Sequence, residues 1–203
     1  MRPRVVIVHG WSGHSEEGWF PWLKRELEAR GALVLSPDMP SPDRPDIFSW
    51  VTFLRDIVST PTPWTYFVGH SLGAQAILRY IEGLPPTAKV GGALFVAGFE
   101  RLGGKFHRLP EAQRALHPWL EAPIHWELIR GKAEEFVGIF SDNDEWVTVE
   151  NVGIFHRKLG AETVLLHDHH HFSGSDGFTE LPIVLDHLLP MMGMDAAAPA
   201  RRL

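Results

Sequence analysis

The 203-residue chain contains no cysteine. Disulfides, thiolate metal sites and cysteine nucleophiles are therefore excluded, and the absence is compatible with a reducing cytosol. No apolar run approaches the roughly 20 residues needed to span a bilayer. The apolar part of the N-terminus, Val5 to Val8, is too short for a signal-peptide core, and His9 follows at once. Basic runs are also missing: 19 Lys and Arg against 25 Asp and Glu give a net charge of −6, which offers nucleic acid little to bind. No internal repeat or linker divides the sequence. These absences describe a soluble, cytoplasmic protein with one domain over residues 1–190. The stretch 191–203, with Ala196-Ala197-Ala198-Pro199, reads as a flexible tail.

Eight tryptophans are present, enough to suggest a large aromatic core or an aromatic-lined cleft. Short continuous apolar runs recur at Val5–Val8, Leu33–Leu35, Tyr66–Val68, Ala93–Ala97, Phe136–Phe140 and Thr163–Leu166. They do not alternate with polar residues, so they read as strands buried on both faces of a parallel sheet. Helical stripes separate them. Leu23 and Leu27 follow Pro21, which suits a first turn, and precede Gly31, which suits a C-terminal cap. Ile47, Trp50 and Leu54 form a second stripe; Val152, Phe155 and Leu159, ended by Gly160, form another; Leu181, Val184, Leu185 and Leu188 form the last. The segment after Ser71 is apolar nearly all round and reads as a buried helix. Alternation of this kind predicts a doubly wound, mostly parallel six-stranded sheet flanked by helices. Residues 98–132, with Pro110, Pro118 and Pro123, break the rhythm and read as a small excursion with two short helical pieces over the site end of the sheet.

The stretch Gly69-His70-Ser71-Leu72-Gly73 lies between the third strand and the buried helix. In a strand–Gly-x-Ser-x-Gly–helix turn the serine takes a strained backbone conformation that exposes its hydroxyl, and the flanking glycines let strand and helix approach. A serine hydroxyl needs a base, and the base needs an orienting acid. In this architecture the acid follows a later strand, where Phe140 to Val147 (FSDNDEWV) offers Asp142 and Asp144. The histidine follows the last strand, where His167 to Gly174 (HDHHHFSG) stands. Backbone amides of Leu72 and of the first-strand loop, Trp11, are the candidate oxyanion donors. His9 and His70 read as structural supports. The run His167-Asp168-His169-His170-His171 raises zinc as a rival, but neighbours in an extended loop point in different directions and no His-Glu-x-x-His pattern accompanies them. No metal or other cofactor is expected. Trp11, Trp119 and Trp146 lie in segments expected to reach the mouth of an apolar site.

With these residues in place the chain resembles the small α/β-hydrolases of the YdeN and retinoblastoma-binding protein nine type. The resemblance runs from about Val5 to Leu189, through HGW (9–11), WFPWLKRELEARG (19–31), PDMPSPD (37–43), GHSLG (69–73), SDNDEWV (141–147) and HHFSG (170–174). It implies an α/β-hydrolase fold trimmed of any large lid, and a carboxylesterase-like serine hydrolase acting on small-molecule esters or amides. Carried over by position, it makes Ser71 the nucleophile, Asp144 the acid and His171 the base, with Asp142 left to shape its turn. This sequence has Glu145 and Thr148 where the family often has proline, and His170 where it often has glycine. The family's name also records a protein partner, so a protein-binding module retaining the fold is the alternative reading.

Overall fold

The computed structural model describes residues 1–194. Its single sheet contains β1 (Arg4–Val8), β2 (Leu33–Leu35), β3 (Thr65–His70), β4 (Val90–Val96), β5 (Ala133–Ser141) and β6 (Glu162–Leu166). The spatial order is β2-β1-β3-β4-β5-β6, and all five pairings are parallel. Each apolar run of the sequence is a strand; the fourth ends at Val96 rather than Ala97, whose φ of 48° turns the chain out of the sheet. Burial on both faces holds for β3 and β4, which are buried throughout. It fails at the edges, where Leu33 and Leu165 are 45% and 48% exposed. An edge strand has one neighbour and incomplete cover, so its apolar run marks a parallel strand without marking full burial.

The helices are α1 (Phe20–Ala29), α2 (Ile47–Val58), α3 (Leu72–Glu82), α4 (Gly104–Arg108), α5 (Pro110–Glu121), α6 (Trp126–Arg130), α7 (Glu150–Leu159) and α8 (Pro182–Met191). Pro21 occupies the first turn of α1, and Gly31 follows its end with φ of 91°. Gly160 closes α7 in the left-handed region, φ 71°. Leu23, Leu27, Trp50, Leu54, Phe155, Leu159 and the last stripe are buried, as their spacing requires. Residues Leu72 to Ile81 of α3 are buried without exception, so this helix is wrapped by the protein on every side.

The excursion between β4 and β5 holds three helices rather than two. Pro110 starts α5, and Pro118 lies inside it without ending it. A proline forfeits one helical hydrogen bond, and here Trp119 and Leu116 offset that loss by packing into the core. The excursion is braced on the loop after β5: Gly103 N–H donates to the Trp146 carbonyl (2.6 Å), Lys105 N–H to that of Glu145 (3.0 Å), and Asn151 is buried between both segments. The tail expected at 191–203 begins inside α8 at Met191, and 195–203 lie outside the described residues. No helix among those described is long and apolar enough to cross a membrane.

The order of strands reverses between β1 and β3, so a crevice opens beyond their carboxyl ends. Two glycines set its depth. A Cβ on Gly73 would lie 2.2 Å from the Val8 carbonyl oxygen and 2.7 Å from that of His9; one on Gly69 would lie 2.8 Å from the Ala74 nitrogen. Backbone cannot yield as a side chain can. Gly73→Ala is therefore expected to cost about 3 kcal/mol. Gly131→Ala, at a helix end with its nearest neighbour 3.8 Å away, should be neutral or stabilise by up to about 1 kcal/mol. Urea unfolding of both variants measures the contrast, and similar midpoints would contradict it.

Candidate active site

Ser71 joins β3 directly to α3 with φ of 53° and ψ of −115°. Such a conformation costs on the order of 1–3 kcal/mol and persists only when its surroundings over-determine it. Here Ser71 N–H donates to the Val96 carbonyl (2.9 Å) and Ala74 N–H to the Ser71 carbonyl (3.0 Å). The loop after β1 crosses close by, since a Cβ on Gly10 would lie 3.3 Å from Ser71 Cβ. The Ser71 side chain is thereby lifted above the N-terminus of α3, whose unpaired amides favour negative charge. Neither the Trp11 nor the Leu72 amide donates to an acceptor within the chain among the described residues.

The loops after the carboxyl ends of β5 and β6 carry Asp144 and His171, the expected acid and base. His171 Nδ1 donates to Asp144 Oδ2 at 2.8 Å, with the two side chains 13% and 2% exposed. Asp144 Oδ1 accepts the amides of Trp146 (2.7 Å) and Val147 (3.0 Å). The carboxylate is thus buried, saturated with donors and fixed in direction. With Nδ1 committed, Nε2 is the ring nitrogen left for chemistry. Ser71 and His171 line one cleft without a hydrogen bond between their side chains, a common state before substrate tightens such contacts.

Asp142 turns away from this centre. Its Oδ2 accepts from His167 Nδ1 (2.6 Å) and its Oδ1 from the Asp168 amide (3.1 Å). The His167 bond holds the Asp142 carboxyl below its ordinary range, and the same bond raises His167. Ligand atoms of Asp142, His167 and Asp168 lie within 4.8 Å of one another, all exposed. His169 and His170 do not join them: His169 stacks on Phe178 (5.5 Å), and His170 faces Asn143. Asn143 Oδ1 accepts the His170 amide (2.8 Å) and the Ser141 hydroxyl (2.8 Å), fastening the acid loop to the base loop. Asp176 Oδ2 accepts the amides of His171 (3.1 Å) and Ser173 (3.0 Å). Burial opposes its charge, but the Ser173 and His171 hydrogen bonds outweigh that and keep the Asp176 carboxyl low.

Both supporting histidines are placed as such. Met39 N–H donates to His9 Nε2 (2.8 Å), so Nδ1 carries the proton and donates to the Gly10 carbonyl (2.8 Å). This fixes the loop bearing Trp11. His70 Nε2 donates to the His171 carbonyl (2.7 Å) while Trp19 packs edgewise and Phe20 at a tilt against its ring. Burial pushes the His70 pKa down to about 3, and burial also lowers His9.

The cleft has a volume of about 170 Å³, and Trp11 and Trp146 meet in it edge to face at 5.9 Å. Trp119 does not reach it. That side chain is 1% exposed, packed against Trp50 at 5.6 Å and beneath the Arg79 guanidinium, with its N–H given to the Pro45 carbonyl. Helix α5 turns this residue into the core and its neighbour Leu116 toward the cleft. Leu102, Leu116, Ser12, Glu17, Ser173 and Ser175 also line the cleft. Periodicity has no hold on them, because all lie in loops except Leu116 and Ser175, the latter in a single 3-10 turn over Gly174–Asp176.

His9 and His70 are neutral in the folded protein, whereas in the unfolded chain each takes up a proton near pH 6.5. Their contribution is complete above that pH and is lost as pH falls toward the folded values, at about 1.4 kcal/mol per pH unit for each proton. Stability should therefore decline between about pH 6.5 and pH 5, above the main carboxylate range. His70→Gln, whose amide can still donate to the His171 carbonyl, should flatten the slope by about one proton. Urea unfolding across this window measures it, and an unchanged slope would contradict the neutral state of His70.

The family model described as serine hydrolase matches residues 5–189. YdeN of Bacillus subtilis (strain 168) is 33% identical over 92% of this chain and 94% of its own. The crystal structure of that gene product superposes with a TM-score of 0.86, at 31% identity over 94% of this chain and 99% of that one. Serine hydrolase RBBP9 of Rattus norvegicus is 25% identical over 93% of this chain and 97% of its own. Est1E from Butyrivibrio proteoclasticus, 16% identical with a TM-score of 0.70, shares the fold. The chain belongs to the serine hydrolase family.

Proposed function

We propose that this protein is a carboxylesterase-like hydrolase of small esters, with amides as a second substrate class, working through Ser71, His171 and Asp144. The observation that carries the reading is the buried 2.8 Å bond from His171 Nδ1 to Asp144 Oδ2 beside a strained, accessible Ser71. His171 Nε2 takes the Ser71 proton as Oγ attacks the substrate carbonyl. Charge on the resulting oxyanion meets the amides of Trp11 and Leu72. The leaving oxygen or nitrogen collects the proton from Nε2, and an acyl-serine remains. Water, activated by the same nitrogen, then releases the acid. Asp144 orients the ring and stabilises the imidazolium; its second oxygen, capped by two amides, keeps it from rotating. No step calls for a metal or other cofactor.

A protein-binding module keeping only the fold would have no use for strain at Ser71 or for the buried Asp144–His171 pair. The two readings divide on activity. Ser71→Ala should lower hydrolysis of an activated ester by about 10⁴ or more while the fold survives. Asp144→Asn should cost a comparable amount, since an amide favours the wrong tautomer and cannot stabilise the charged ring. Asp142→Asn, which disturbs the exposed pairing with His167 and the bond from the Asp168 amide, should cost about tenfold at most. The measurement is kcat/KM on one activated ester at neutral pH, with circular dichroism as the folding control. Unchanged turnover in pure Ser71→Ala protein would refute the nucleophile. A folded Asp142→Asn protein slower than Asp144→Asn would assign the acid to the wrong residue.

A further inference from the structure

Glu17 is the one Asp, Glu, Lys or Arg residue in the lining of the Ser71 cleft. Its carboxylate accepts no hydrogen bond and meets no Lys, Arg or His within ion-pair distance among the described residues. Lys105, whose ammonium lies 5.1 Å over the Trp146 ring, is paired with Glu145 at 3.8 Å and is not part of the lining. A half-buried carboxylate left without a partner beside a reactive serine is a ready counter-charge for a ligand cation.

Its place in the cleft says which part of the ligand. Gly18 packs backbone to backbone on Gly174: a Cβ on Gly18 would lie 3.2 Å from the Gly174 nitrogen, and one on Gly174 would lie 3.1 Å from the Gly18 nitrogen. Glu17, next to Gly18, lines the cleft with Ser173 and Ser175, two and four residues beyond His171, as one polar wall, and its Oε1 lies 3.3 Å from where a Cβ on Gly13 would stand. His171 is the group that must hand its proton to the leaving oxygen, so this wall flanks the leaving group. Trp11, Trp146, Leu102 and Leu116 give the lining an apolar part, and a cleft of about 170 Å³ is small against the usual range for ligand sites, so it suits a short acyl chain.

Resting on the Ser71 hydrolase reading, we propose that Glu17 is a specificity-determining residue and that the substrate class is short-chain esters of amino or ammonium alcohols. The carboxylate of Glu17 pairs with the cation of the alcohol part while Ser71 Oγ attacks the acyl carbon. The acyl carbon–oxygen bond breaks, the alcohol oxygen takes the proton held on His171 Nε2, and the cationic alcohol departs. Water then cleaves the acyl-serine, so the products are a short carboxylic acid and the amino alcohol, with no other reactant. The net charge of −6 favours approach of cations over anions.

The test compares acetylcholine with 3,3-dimethylbutyl acetate, which has the same shape without the charge, on wild type, Glu17→Gln and Ser71→Ala. The wild type should favour the cationic ester by about fivefold or more in kcat/KM, mainly through KM, and added salt should shrink the preference. In Glu17→Gln the ratio should fall toward one. A second measurement needs no variant: tetramethylammonium should inhibit wild-type hydrolysis of p-nitrophenyl acetate competitively, and tert-butanol should not. Ser71-dependent hydrolysis of both esters at a ratio that Glu17→Gln leaves unchanged would overturn the role of Glu17 alone. So would absence of inhibition by tetramethylammonium. Failure of wild type to hydrolyse any of the three esters in a Ser71-dependent way would overturn the hydrolase reading and this inference together.

Discussion

The site depends on one close approach. Helix α3 begins immediately after β3 and presses its first turn against the end of β1, so closely that Gly73 faces the carbonyl oxygens of Val8 and His9 with no room for a side chain. That contact forces the turn between strand and helix into the conformation found at Ser71. The loop after β1 crosses the elbow, where a Cβ on Gly10 would lie 3.3 Å from Ser71 Cβ. The strain is local, and the buried body of α3 holds it. The rest of the site is arranged around a serine that the backbone has already aimed.

The other two strands deliver their loops by a different physics. The segments after β5 and β6 are irregular, and polar side chains fix them. Asn143 joins the loops, Asp176 gathers the amides around His171, and the Asp142–His167 pair closes the outer edge. His70, kept neutral by burial, holds the His171 carbonyl from beneath. Of the five-residue run His167 to His171, each polar group thus has its own structural partner, and His171 is the one whose ring turns to the cleft with Nδ1 held by Asp144.

Much of this was legible in the sequence because it follows from period and composition. Apolar runs gave the parallel sheet, the Gly-x-Ser-x-Gly turn between a strand and a helix gave the strained turn at Ser71, and chain order pointed to the two loops whose Asp144 and His171 are hydrogen-bonded. What was hidden had no periodic signal. Trp119 carries the same aromatic character as Trp11 and Trp146, and only the rotation of α5 decides that it packs on Trp50 instead of the cleft. The excursion read as broken because prolines usually break helices, yet Pro118 is carried inside α5. The base loop was harder still: Asp168, His170 and Phe172 all have positive φ, at 58°, 47° and 57°, and none is glycine. At φ 47° His170 holds a left-handed conformation that ordinarily favours glycine. Glu17 gave no signal because an isolated glutamate in a loop is ordinarily a solvated surface charge.

The central claim is that the fold turns one particular serine into a nucleophile through the histidine beside it. Reaction with a fluorophosphonate, followed by intact-mass and peptide mass spectrometry, tests this without any assumption about substrate. The account predicts a single adduct on wild type that maps to Ser71, no adduct on Ser71→Ala, and strongly slowed labelling of His171→Ala. Absence of an adduct on folded wild-type protein, or an adduct that persists in Ser71→Ala, would contradict it.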